Sequence, residues 1–180
     1  MRVRTAHRGD VREIAELHVR AWQRAYRGLM PDFLLDSLSV VEREAEWKRA
    51  MSHQPQLQVL VVDVDHRVLG FSAAGPSRDG DAARGTAEVY AIYVDPDHVG
   101  TGLGRILLAH TLEDFRSRGY RTATLWVLEG NDRARRFYEL AGWRANGATR
   151  TDTVNAFEMR EVRYRAPRPR DGGPPGRSAA

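Results

Sequence analysis

The sequence predicts one mixed α/β (α+β) domain of about seven strands and about four helices. Three observations lead there. Seven short runs are rich in β-branched and aromatic residues, four longer stretches repeat apolar residues every three or four positions, and 180 residues are enough for one packed core but short for two.

The elements follow in order. Residues 2–6 read as a short strand, and Asp10 stands as a helix N-cap with Glu13 three positions on, at capping-box spacing. Ile14, Leu17, His18, Ala21, Trp22 and Ala25 then form an amphipathic helix, which runs to Tyr26 before Gly28 and Pro31 interrupt it. A second helical stretch covers 32–51, with a break near Ser39. Residues 57–64 and 68–74 flank an Asp65-His66-Arg67 turn as a hairpin, 76–85 is a polar loop, and 86–94 is a strand ending at Asp95-Pro96. After glycines at 100, 102 and 104 come a helix (106–118), a strand (122–128), a helix (132–141) closed by Gly142, and two strands near 143–149 and 156–164. The domain is expected over 1–165. Residues 166–180, rich in Pro, Gly and Arg, carry too few apolar groups to offset the entropy of ordering and are expected to be a disordered tail.

Composition excludes several chemistries. There is no cysteine, so disulfides, thiolate nucleophiles and thiolate metal sites are ruled out. The six histidines show no metal-ligand spacing, and no metal is expected. No signal-like apolar run opens the chain and no run of eighteen apolar residues occurs, so a cytoplasmic protein without a membrane association is expected. The formal charge of +4 is matched by residues 163–180 alone, where five arginines face Asp171. The remainder is formally neutral, which argues against a nucleic-acid partner, since such a domain carries its basic excess on the fold.

A strand, a turn with glycine at every second position and a helix bring bare amides and a helix N-terminus to one point, a layout suited to pyrophosphate. A dinucleotide fingerprint would need glycine where Arg105 stands, and a P-loop would need Gly-Lys-Ser/Thr; both fail. The segment Val99-Gly100-Thr101-Gly102-Leu103-Gly104 resembles the acetyl-CoA loop of the GCN5-related N-acetyltransferase (GNAT) superfamily. That pattern is Arg or Gln, two residues, Gly, one residue, Gly or Ala. Gly102 and Gly104 match and Val99 departs from the first position, which removes a side-chain contact but no backbone amide. Ile92-Tyr93-Val94-Asp95-Pro96 resembles the family's fourth strand, and Asn131 through Tyr138 to Gly142-Trp143 its later motif.

The resemblance implies a GNAT fold, with a central, mostly antiparallel mixed sheet, and an acyl-CoA N-acyltransferase with acetyl-CoA as co-substrate. It implies cofactor contacts at Ile92, Tyr93, Val94, Val99 to Arg105, Asn131, Ala134 and Tyr138, with the Val94 amide facing the thioester oxygen. Glu88, eleven positions before Val99, matches the general base of the family's histone acetyltransferases, and Tyr138 the tyrosine beside the CoA sulfur. Glu88 is the candidate base, or else the partner of an arginine on the sheet face. Strand alternation would put it with Tyr90, Ile92 and Val94 on one face. Tyr138 is the candidate acid: a phenol of reference pKa about 10 protonates a thiolate of about 8.5 modestly uphill. Trp22, Tyr26 and Trp126 are either walls of the acceptor pocket, which Glu88 would share, or core. The acceptor is expected to be the primary amine of a small molecule or protein, attacking directly in a ternary complex. A catalytically silent acyl-CoA sensor is the rival reading, and a homodimer is left open.

Overall fold

The structure is a computed structural model that describes residues 1–154 and 156–167. Seven strands form one sheet in the order β1-β2-β3-β4-β5-β7-β6: β1 Arg2–Thr5, β2 Gln58–Val64, β3 Arg67–Pro76, β4 Thr86–Val94, β5 Thr122–Leu128, β6 Arg144–Val154 and β7 Phe157–Arg165. Only β4 and β5 pair in parallel; all other neighbours are antiparallel. Five α-helices complete it: α1 Val11–Ala25, α2 Asp32–Asp36, α3 Val40–His53, α4 Leu103–Ser117 and α5 Asp132–Leu140. The expected stretch 32–51 is two helices because Ser39 is extended and its hydroxyl accepts from the Glu42 amide, starting a new N-terminus.

Both faces of β2 and β3 are covered, which is why these strands read as continuous apolar runs. On one face Ile14 and Leu17 of α1 and Trp47 of α3 pack on Val59, Val61 and Phe71. On the other, Leu103 and Leu107 of α4 pack on Leu60, Val62 and Leu69. Gly70 lets α4 lie this close: a Cβ there would come within 3.0 Å of Leu107 Cδ1 and 3.1 Å of the Tyr93 carbonyl oxygen. Farther along the sheet, α4 and Trp143 share a core with Leu125, Val127 and Tyr164.

Several sequence expectations shift. Asp10 precedes α1 but does not cap it with its side chain, because the carboxylate is taken by Arg4 and by the His7 amide. Glu13 reaches instead to the Val68 amide at 2.8 Å and ties α1 to the hairpin. Helix α4 starts at Leu103, not Ile106, because Gly102 takes the left-handed conformation (φ +95°) and turns the chain directly into the helix. The first two residues assigned to the tail are ordered: the Ala166 amide bonds to Ala123 O at 2.9 Å, and Pro167 lies beside Gly142. Residues 168–180 of the expected disordered tail lie outside the described residues. No helix among the described residues is long and apolar enough to cross a membrane.

At the sheet's first edge, Arg4 bonds Asp10 through two nitrogens (2.7 and 2.8 Å) and Asp63 through Nε (2.8 Å). Hydrogen bonds from Arg4 and Arg2 hold the Asp63 carboxyl down to about 2. A carboxyl depressed in the folded state stabilises above its unfolded value, and that contribution fades as pH falls from ~4 towards the folded value. Denaturant midpoints measured from pH 6 to pH 2 should therefore fall less steeply on the acid side for Asp63→Asn than for the parent protein. Equal slopes would remove this pair from the account.

Candidate active site

Strands β4 and β5 are paired only from Thr86↔Thr122 to Val89↔Leu125, after which they part. The cause lies in β4. Its register against β3 shifts between Ala73↔Ala91 and Ala74↔Val89, so Tyr90 is a bulge residue, and a bulge bends and twists its strand. Beyond the bulge, the β5-facing peptide groups of β4 lose their strand neighbour. A cleft of about 430 Å³ opens in the fork, within the range of small-molecule sites.

The bulge also resets which side chains share a face. Ala87 and Val89 pack towards α4, and so do Ile92 and Val94, whereas Ala91 and Tyr93 pack towards α1. The expectation that Glu88, Tyr90, Ile92 and Val94 share one face is therefore corrected, because the extra residue inverts the alternation.

The mouth of the cleft is the glycine turn. Gly100 (φ +90°) and Gly102 (φ +95°) are left-handed, and a Cβ on either would meet nothing within 4 Å, so the space beside the loop is open. No acidic residue stands in the first turn of α4, and Gly102 offers no side-chain cap, so the first amides of the helix remain available to an anion. Among the lining residues, Arg24, His98, Arg105 and Arg133 supply basic groups. No group of three or more His, Asp or Glu side chains among the described residues is placed to hold a metal ion.

Of the residues singled out in the sequence, Ile92, Tyr93, Val94, Val99, Gly100, Gly102, Gly104, Arg105, Asn131, Ala134, Tyr138, Tyr26 and Trp126 all line the cleft. Thr101, Leu103, Trp22 and Glu88 do not. Thr101 Oγ1 donates to the His98 carbonyl at 2.6 Å and braces the turn, while Leu103 belongs to the core. Trp22 packs edge-on against Tyr26 and His18. Asn131 accepts from the Ala134 amide at 3.0 Å and so caps α5, the helix that presents Tyr138.

The Tyr138 hydroxyl has no hydrogen-bond partner among the described residues, and its ring packs against Phe137 and Trp143. Burial, and then the neighbouring Tyr26, push its pKa well up. Tyr26 and Tyr93 share a hydrogen bond of 3.2 Å between hydroxyls. Behind them, the His18 ring stacks on Tyr93 (centroids 4.9 Å apart) and accepts from Trp47 Nε1 at 3.2 Å. Burial pushes its pKa down to about 3, so it is a neutral packing group at ordinary pH.

Glu88 is buried. Its Oε2 accepts from the Arg78 amide (2.9 Å) and its Oε1 from the Arg78 guanidinium (3.0 Å), which also lies 3.9 Å over the Tyr90 ring. The 76–85 loop is fastened a second time at Asp79, which accepts from Trp126 Nε1 (2.9 Å) and from Arg163 (3.1 Å), and Arg163 also bonds both oxygens of Asp81. Sequence reasoning missed Arg78, Asp79, Arg163 and Glu161. Met159, Glu161 and Arg163 alternate along β7, a signal that places them on one face but does not say that the face is a cleft wall.

The profile of the Acetyltransferase (GNAT) family matches residues 11–143. The uncharacterized N-acetyltransferase YuaI of Bacillus subtilis is 33% identical over 129 residues, covering 72% of this chain and 72% of YuaI. Among solved structures, yncA of Salmonella typhimurium, a putative acetyltransferase with its cofactor acetyl-CoA, superposes with a TM-score of 0.69 at 22% identity, covering 97% of this chain and 98% of its own. The paia N-acetyltransferase of Thermoplasma acidophilum, in complex with coenzyme A, gives 0.67 at 19% identity over 89% and 96%.

The double fastening of the 76–85 loop is testable without a ligand. Arg163→Gln should speed amide hydrogen exchange in residues 77–85 about tenfold, with little change in α4 or β2. Unchanged exchange in that loop would show that Trp126 and Arg78 hold it alone.

Proposed function

Because the chain belongs to the acetyltransferase (GNAT) family, we propose that it transfers an acetyl group from acetyl-CoA directly to a primary amine, both substrates being bound at once in the β4–β5 fork. The observation that carries this reading is the fork itself: strand edges with unpaired peptide groups lead from the open glycine turn to the Tyr138 hydroxyl. The residues fit the co-substrate. The glycine turn and the start of α4 offer bare amides and a helix N-terminus to a pyrophosphate. The edge of β4 at Ile92, Tyr93 and Val94 offers backbone groups to an amide-bearing arm, as an added strand would use them, and Ala134 leaves room on α5.

In the reaction, the acceptor gives up its ammonium proton to solvent, and the neutral nitrogen bonds to the thioester carbon. The carbon–sulfur bond breaks, sulfur leaves with a proton from an acid, and the second proton lost by nitrogen returns through solvent to that acid. We assign the role of that acid to Tyr138. Burial raises its pKa and so weakens it as an acid, while the same dry surroundings disfavour a thiolate and offset part of that cost. The Val94 amide is the donor we assign to the oxyanion. For Glu88 the geometry supports a fastening role over the base role expected from its spacing, since both oxygens are bound by Arg78 and the side chain is absent from the cleft walls.

Calorimetric titration with acetyl-CoA, followed by thiol release against amines, peptides and amino acids, tests the reading. Tyr138→Phe should lower kcat ~100-fold, the low end for a lost general acid, with acetyl-CoA affinity nearly unchanged. Gly102→Asp should weaken acetyl-CoA binding at least ~10-fold, because a carboxylate then competes for the amides of α4. Binding without turnover on any amine would favour a sensor, and absence of binding would overturn the proposal.

A further inference from the structure

An amine acceptor presents a problem of charge. At neutral pH an alkyl amine of reference pKa ~10.4 arrives almost wholly as a cation, and an apolar cleft takes up a cation only against an anion. Glu161 is the one acidic residue among the described residues that line the cleft. It stands on β7 opposite Leu128 of β5 and Arg150 of β6, with its side chain 15% exposed. Its Oε2 accepts from Arg150 Nε at 2.7 Å, and among the described residues its Oε1 has no hydrogen-bond partner. Around it, Tyr26 and Trp126 give the cleft aromatic walls, and Arg150 lies over the Trp126 ring at 4.4 Å from the centroid. The cleft's other charged side chains, Arg24, Arg105 and Arg133, are all cations.

Resting on the acetyl transfer proposed above, we propose that Glu161 receives the acceptor's ammonium group as it enters, before the nitrogen gives up its proton to solvent and attacks, so that the site favours acceptors that arrive as cations. Arg150 is then an internal cation that orients the carboxylate and competes with the acceptor for it. The 76–85 loop offsets a further cation: Arg163, also over Trp126, is paired with Asp79 and Asp81.

Glu161 as an anchor and Glu161 as a mere clasp for Arg150 predict different patterns. Steady-state kinetics at saturating acetyl-CoA would compare the parent protein, Glu161→Gln and Arg150→Gln on tyramine, L-leucinamide and L-phenylalaninamide. An anchor raises KM for the amine at least tenfold in Glu161→Gln, with acetyl-CoA affinity unchanged, and leaves KM equal or lower in Arg150→Gln, which frees the carboxylate. Unchanged KM in Glu161→Gln, or the same rise in both variants, overturns the proposal. Should the parent protein bind acetyl-CoA but acetylate none of these amines, the transferase reading fails on its own. Calorimetry of the CoA-saturated protein with the same amines then decides about Glu161: weaker binding in Glu161→Gln sustains the anchor, and equal or no binding in both overturns it.

Discussion

One backbone irregularity organises this molecule. The extra residue at Tyr90 ends the parallel pairing of β4 with β5 and leaves two strand edges facing a gap. Exposed strand edges are usually a hazard, but here the gap is walled by α1 on one side and by the glycine turn and α5 on the other. The unsatisfied peptide groups thus lie where a chain-like ligand can complete them. Among the side chains that line the gap, Tyr138 comes from α5, Glu161 from β7 and Tyr26 from the end of α1.

The closed half of the sheet holds a buried carboxyl group. The Glu88 side chain is buried, a costly position for a carboxyl group unless its oxygens are satisfied. Arg78 meets both oxygens and spreads over Tyr90, so the bulge, the loop and the carboxylate brace one another. Asp79 repeats the arrangement with Trp126 and Arg163. The loop over this face is held by polar contacts at Arg78, Asp79 and Asp81, in place of the apolar packing its Gly- and Arg-rich sequence cannot supply.

Much of this was legible in the sequence. All seven strands and the stripe of α1 follow from periodicity, and the glycine turn and Tyr138 from motifs with a physical reason behind them. What escaped did so for two causes. A bulge leaves no mark in a run such as Thr86–Val94, where every residue suits a strand, so the face of each side chain beyond it was misassigned. Long-range polar partners are equally silent: nothing around Glu161 announces Arg150 eleven positions earlier, and Glu13 has the spacing of a cap although its partner is the Val68 amide.

Gly70 lies on the central strand β3, opposite Val94 of β4 and outside the cleft lining, and it sets the height of α4 above the sheet. The N-terminus of that helix is the glycine turn. Any side chain added at 70 would lift the helix like a shim, and the mouth of the cleft would rise with it. In a mutational survey, position 70 would then score as a ligand-affinity position although it touches no ligand. Maps drawn from phenotype alone would place the site in the middle of the sheet.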